Sequence, residues 1–277
     1  INSTEPSLYR HLVPICAYIQ DRGLQAQITT NGLRLDQLAE GLVDARVDRI
    51  WVSLDGPAEE HNRIRGVKNA FARIGAGIAN VQALKRERGQ AEPRFYTNFT
   101  VSEHNHHCLV AFMEAIGGWG FEGVTFSHMN FVTEDMAAAH NAQYGHVVEA
   151  TPSSIAWADP WKVDLDVLGE QVDQVRGRWR SLVSFTPELE RPELETYYRD
   201  HLAVVRSKRC AVPWQSAQIL ADGDVVPISR CFNIPLGNIY DSSFADIWRG
   251  EKMALFRREL RDAGLFPACT RCCGVLG

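Results

Sequence analysis

Apolar and polar positions alternate with two periods along this chain, and the period switches at short polar turns. From Leu8 to Arg22 the apolar residues Leu8, Leu12, Ile15, Cys16 and Ile19 recur at helical spacing, and Gly23 closes the run as a C-terminal cap would. A short strand follows at Gln25 to Thr30, ending at Asn31-Gly32, then a helix from Leu33 to Leu42. Arg49 to Leu54 reads as a buried strand ending at Asp55-Gly56. A long helix from about Ala70 to Arg88 precedes the strand Arg94 to Val101. A helix from about His107 to Gly117 and the strand Gly123 to His128 repeat the order. Such alternation predicts parallel strands joined by crossover helices. Polar residues then collect at the C-terminal strand ends, where Asn31, Ser53, Asp55, Asn98, His128 and Asn130 stand.

Beyond residue 130 the pattern loosens. A helix from about Leu165 to Trp179, a strand at Ser181 to Phe185 and a helix containing Tyr197 and Tyr198 are predicted within a connector and substrate-side lid at 131–209. Residues 1–130 form the barrel segment and 210–277 a cysteine-rich end. In that end, an apolar run, Asp222-Gly223-Asp224 and a second apolar run read as a hairpin, followed by a helix through Ile247, Trp248, Phe256 and Leu260.

Composition narrows the class. The chain has 277 residues, enough for a large domain with an accessory unit, and no apolar run long enough for a membrane helix. A net charge of -5 with scattered basic residues gives no nucleic-acid footprint. Seven cysteines without a secretory signal favour reduced thiols and metal ligation in a cytoplasmic setting.

Four of those thiols carry the candidate chemistry. Cys210 and Cys231 flank the hairpin, and Cys269 and Cys272 form a terminal CxxC, a soft donor set for either zinc or an iron-sulfur cluster. Cys273 competes with Cys272 for one position. Cys16 and Cys108 read as core residues, and the His104, His106 and His107 group as a solvated helix start. Trp157, Trp161, Tyr197 and Tyr198 read as packing aromatics. Ser53 and Asp55 also suit a turn cap, and Arg65 either meets a ligand or braces its loop.

The ordered set Glu5-Pro6, Ile28-Thr29-Thr30-Asn31-Gly32, Trp51-Val52-Ser53-Leu54-Asp55-Gly56 and His61-Asn62-Arg63-Ile64-Arg65-Gly66 resembles the core of radical S-adenosylmethionine (SAM) enzymes. The region Cys210 to Cys273, with its Gly-Asn-Ile and Ile-Trp segments, is similar to the SPASM or twitch extension of that superfamily. The resemblance implies a partial (βα)6 TIM-like barrel, its first strand region missing, with a small cysteine-rich subdomain. It implies SAM at the strand rim, near Glu5, Pro6, Asn31, Ser53, Asp55 and Asn98, and hydrogen abstraction by a 5'-deoxyadenosyl radical from a peptide or small molecule. It also implies one auxiliary 4Fe-4S cluster on Cys210, Cys231, Cys269 and Cys272, and an electron donor such as flavodoxin or ferredoxin. Ser3-Thr4 stand where the family carries glycines before Glu-Pro, and Phe232 stands where some relatives place an acidic base. No CxxxCxxC occurs in these 277 residues. Because the sequence opens on Ile1, the ligands of the radical-generating 4Fe-4S cluster are expected upstream, and the chain by itself is expected to be inactive. The alternative is a non-catalytic or peptide-binding barrel whose cysteines hold structural zinc or an iron-sulfur site.

Overall fold

The computed structural model describes residues 1–2, 5–156, 158–206, 209–227, 232 and 234–272. Ser3, Thr4, Trp157, Cys231 and Cys273 lie outside the described residues. After a 3-10 turn at Pro6–Leu8 come α1 (Leu12–Gln20), β1 (Gln27–Thr30), α2 (Leu35–Asp44), β2 (Arg49–Ser53), α3 (Ala58–Arg65), α4 (Ala70–Glu87), β3 (Arg94–Val101), α5 (Leu109–Ala115) and β4 (Phe121–His128). Then follow α6 (Glu134–Tyr144), α7 (Leu165–Trp179), β5 (Val183–Thr186), α8 (Arg191–Arg199), α9 (Val212–Gln215), β6 (Gln218–Ile219), β7 (Asp224–Val226), β8 (Gly237–Asn238), α10 (Phe244–Arg249), α11 (Glu251–Ala263) and a 3-10 turn at Pro267–Cys269.

The chain forms two compact units. The first comprises Ile1–Ser127 with Asp166–Phe185, and the second His128–Leu165 with Thr186–Gly277. The span 131–209, expected as one connector, is therefore divided: α7 belongs to the first unit and α8 to the second.

In the first unit five strands stand in the order β1-β2-β3-β4-β5. The β1–β2 and β2–β3 pairs are parallel, with Ile28 beside Ile50 and Val52 beside Thr97. Each strand neighbours its predecessor with no reversal of order. A doubly wound sheet reverses at a switch point and takes helices on both faces, whereas unreversed right-handed crossovers keep the helices on one face and curl the sheet into an arc. Ile28, Ile50, Val52, Phe95, Phe99 and Phe126 are buried on alternate positions. The intervening positions form a half-buried face where Trp51 stacks on Tyr96 at 4.9 Å. Outside the sheet α4 packs on α2, and Gly77 permits the approach, since a Cβ there would stand 2.8 Å from Leu35 Cβ. The outer edge of β1 receives Ile1, whose amino group donates to the Gln27 carbonyl while its carbonyl accepts from Thr29 N–H.

Local deviations from the sequence pattern have local causes. The first helix begins at Leu12, and Leu8 is 69 % exposed: Glu5 caps the start of a separate turn at Pro6–Leu8 by accepting from Ser7 N–H, and the extended backbone of Tyr9 ends it. Helix α3 carries weak apolar periodicity, but Pro57, Glu59 and Glu60 at its start and Arg63, Arg65 and left-handed Gly66 at its end are sufficient signals. Helix α6 starts at Thr133, whose hydroxyl accepts from Met136 N–H.

In the second unit β6, β7 and β8 form an antiparallel sheet, with Ile219 beside Val225 and Asp224 beside Asn238. The predicted hairpin is present, and Gly223 turns it with φ +91°. Two apolar clusters support the unit: Phe131, Met136, Phe256 and Phe266 in one, Val225, Leu236, Ile247 and Met253 in the other. No helix among the described residues is long and apolar enough to cross a membrane.

Candidate functional site

The strand rim gathers first around Glu5. Its Oε1 accepts from Ser7 N–H at 3.0 Å and Thr30 Oγ1 at 2.6 Å, and its Oε2 accepts from Asn31 N–H at 2.7 Å. Burial opposes the charge, but the hydrogen bonds from Ser7, Thr30 and Asn31 together outweigh it and hold the Glu5 carboxyl below its ordinary value of 4.5. A carboxylate oxygen accepts about two hydrogen bonds; among the described residues Oε1 takes two of these three and Oε2 one. Pro6 is buried directly after it. Asn31 Oδ1 accepts from Leu33 N–H at 3.0 Å, an Asx turn that leads the chain off β1.

Ser53 ends β2 and is paired in register with Asn98 of β3. Asn98 Oδ1 accepts from Ser127 Oγ at 2.6 Å, so three adjacent strands present a polar row on the half-buried face. Sequence reading singled out Ser53 and Asn98 in that row and missed Ser127. The period-two alternation of β4, with Val124, Phe126 and His128 buried, is the signal that places Ser127 there.

Asp55 is engaged differently. Its carboxylate takes a bidentate contact from Arg65, Nε to Oδ2 at 2.5 Å and Nη2 to Oδ1 at 3.1 Å. Its backbone N–H donates to His61 Nδ1 at 3.1 Å, and its carbonyl accepts from Asn105 Nδ2 at 2.9 Å. Arg65 thus braces the loop. Burial chiefly depresses His61 to about 4, the Arg65 charge adding to it and the Asp55 charge opposing it. The imidazole is therefore neutral near pH 7, as an Nδ1 acceptor must be.

At the end of β4, His128 is buried with Nδ1 3.0 Å from the Tyr198 hydroxyl, and Tyr197 donates to the Met129 carbonyl at 3.0 Å. These are satisfied core contacts. His106 stacks edge-on to His107, whose Nε2 lies 3.9 Å from Glu60 Oε1, and the group makes no metal-ligand cluster among the described residues.

The thiols share one apolar neighbourhood. Cys269 and Cys272 are buried in the cluster with Phe131, Phe256 and Phe266, and Cys210 packs against it. Cys272 N–H donates to the Cys269 carbonyl at 3.1 Å, which closes the CxxC turn. Burial, then the neighbouring Cys272 and Cys210 thiols, hold the Cys269 thiol well above its ordinary value of 9.0. Soft sulfur donors that cannot ionise alone in an apolar pocket suit a thiophilic cation or an iron-sulfur cluster, whose positive iron supplies the missing charge. Among the described residues no three His, Cys, Asp or Glu side chains close to ligand geometry. Cys231, the expected fourth donor, and Cys273 fall outside those residues. None of the described cysteines forms a disulfide.

With this geometry in view, comparison with known proteins returns two family matches. Residues 3–114 match the radical SAM superfamily, and residues 210–273 match the SPASM iron-sulfur cluster-binding domain. Among curated relatives, the Fe-coproporphyrin III synthase of Methanosarcina barkeri is 26 % identical over 147 residues, covering 50 % of this chain and 35 % of that protein. The AdoMet-dependent heme synthase of the same organism is 36 % identical over 107 residues, covering 38 % of this chain and 29 % of that protein. The chain thus spans about a third of each of these relatives. Among solved structures, SuiB of Streptococcus suis aligns over 98 % of this chain and 60 % of its own, with TM-score 0.60 and 14 % identity. SuiB has also been solved with SAM and with its precursor peptide SuiA.

Proposed function

We propose, from the premise that this chain belongs to the radical SAM superfamily and ends in a SPASM domain, that it holds SAM at the rim of β1, β2 and β3 and one auxiliary 4Fe-4S cluster at its C-terminal cysteines. The observation that carries the reading is the Glu5 carboxylate, kept charged beside the end of β1, with Oε2 taking a single donor among the described residues. An α-ammonium needs such an acceptor. Pro6 orients Glu5, Asn31 sets the turn beside it, and Ser53 and Asn98 offer hydroxyl and amide groups to the ribose and carboxylate side of the ligand. Asp55 serves the same rim by holding, through Arg65, the segment that follows β2.

A radical-generating cluster with SAM, when bound, would supply the chemistry of hydrogen-atom abstraction from the substrate. The family holds that cluster on the three thiolates of a CxxxCxxC, a motif that does not occur in these 277 residues. The residues of this chain bind and orient SAM and exclude water around it. The substrate is a peptide or a small molecule: SuiB has been solved bound to its precursor peptide SuiA, and the M. barkeri relatives are named as an Fe-coproporphyrin III synthase and a heme synthase. A small electron-transfer protein of the flavodoxin or ferredoxin kind supplies the electron.

Cys210, Cys231, Cys269 and Cys272 hold the auxiliary cluster, in apolar surroundings that shield it from water. Anaerobic reconstitution with iron and sulfide is expected to load about one four-iron cluster per chain, with broad absorbance near about 400 nm. The C269A/C272A double variant is expected to lose that absorbance. Undiminished absorbance in the double variant, or zinc in place of iron in protein isolated without air, refutes the assignment.

A further inference from the structure

Arg271 lies inside the CxxC turn, between Cys269 and Cys272, and is 1 % exposed. Its guanidinium has five N–H donors. Nε donates to the Tyr197 carbonyl at 2.5 Å, Nη1 to Ala203 and Thr270 carbonyls at 2.8 and 2.7 Å, and Nη2 to Thr196 and Asp200 carbonyls at 2.8 and 2.5 Å. Every donor therefore ends on backbone oxygen. Four of the five acceptors come from the end of α8 and the residues just after it, the negative end of the helix macrodipole; the Thr196 and Asp200 carbonyls also accept from Asp200 and Ala203 N–H, so the guanidinium uses their second lone pairs. The guanidinium also sits 4.7 Å over the Tyr197 ring, and Asp200 acts on it electrostatically without forming an ion pair. Thr270 adds a parallel tie, its hydroxyl donating to the His201 carbonyl at 2.6 Å.

A buried cation without a paired anion is tolerated only where its donors are all satisfied. The five carbonyls meet the guanidinium in one arrangement, with the CxxC turn docked on the end of α8. We propose that Arg271 is the positioning residue of the metal centre: it preforms the Cys269–Cys272 half of the ligand set before any metal arrives. Folding then bears the cost of ordering the two thiols, and the metal meets them in place. The clamp also reaches α8 residues that touch the end of β4, through Tyr197 to the Met129 carbonyl and Tyr198 to His128. Arg271 thus joins the metal loop to His128 and Met129 by a continuous set of contacts within the second unit.

This inference deepens the metal assignment above and rests on it. The test titrates Co2+ alone into the reduced, metal-free 277-residue chain and follows the thiolate-to-cobalt charge-transfer absorption. R271M removes all five donors at similar length, and R271K keeps the charge with three donors in another geometry. Far-UV circular dichroism sets a temperature at which each protein is folded. The expected result is Co2+ affinity weaker by about tenfold or more in R271M, with altered ligand-field bands, and intermediate in R271K. Wild-type affinity and bands in folded R271M overturn the proposal. If R271M does not fold, R271K decides: weaker binding with an unchanged far-UV spectrum supports the clamp, and unchanged binding overturns it. C269A/C272A, titrated alongside, separates the premises, because Co2+ bands that survive in that variant overturn the metal assignment itself, whatever Arg271 does.

Discussion

Glu5 and His61 show how single side chains near the rim hold opposite charge states. For Glu5, the hydrogen bonds that favour the carboxylate outweigh burial. Glu5→Gln keeps the size but loses the charge and turns one oxygen into a donor facing Thr30 or Asn31. SAM affinity of the cluster-loaded protein, measured by calorimetry, is expected to fall about tenfold or more, the magnitude of a charge-assisted hydrogen bond. For His61, burial outweighs the attraction of Asp55, and the folded-state value lies near 4 against 6.5 in the unfolded chain. Between those values the unfolded state binds the extra proton, so stability rises with pH through that window and is lost on acidification. The slope is at most about 1.4 kcal/mol per pH unit. His61→Asn keeps an acceptor for the Asp55 N–H yet does not titrate. Urea melts of that variant between pH 4 and 6.5 are expected to show a shallower dependence than wild type, and equal slopes would remove His61 as the source.

Among the elements, the β6–β7 hairpin depends on one backbone conformation. Gly223 has φ +91°, and a Cβ there would stand 2.6 Å from the Tyr240 ring and 2.8 Å from Asn238 Oδ1. Gly223→Ala is expected to cost about 1–3 kcal/mol in chemical denaturation. Gly177 in α7 offers the contrast, because nothing lies within 4 Å of a Cβ placed there. Gly177→Ala is expected to stabilise by about 0.5–1 kcal/mol, since alanine loses less backbone entropy in a helix. A common sign for the two substitutions would contradict the conformational argument. The elements whose periodicity was strong, β1 to β4 with α2 and α4, were legible from spacing alone. Helices α3 and α6 were not, because their stability comes from end signals and from contacts rather than from an apolar stripe.

For the whole molecule, the arrangement in two units puts the proposed ligands Cys210, Cys269 and Cys272 in the second unit, with Cys269 and Cys272 both buried. A ligand that binds only the folded state raises its stability by mass action. Loading the chain with iron and sulfide is therefore expected to raise its melting temperature, and C269A/C272A to abolish the gain. Equal melting temperatures with and without the cluster would show that the cysteines are not coupled to the fold of this unit.

The alternation of strand and helix, the Asp-Gly-Asp turn, the spaced cysteines and the ordered Glu-Pro, Asn-Gly and Asp-Gly segments lie in the sequence, because period and turn chemistry are local properties of the chain. They were enough for the parallel strands, the hairpin and the family resemblance. Which polar groups remain available at the rim was decided only by tertiary structure. Asp55, Ser53 and Asn31 look alike as strand-end residues, yet Asp55 spends its carboxylate on Arg65, ten positions on. Arg271 is one more basic residue between two cysteines until its guanidinium meets the Tyr197 carbonyl 74 positions earlier. A buried charge is tolerated or not according to the partners that folding brings to it from distant parts of the chain, and no local pattern of residues records them.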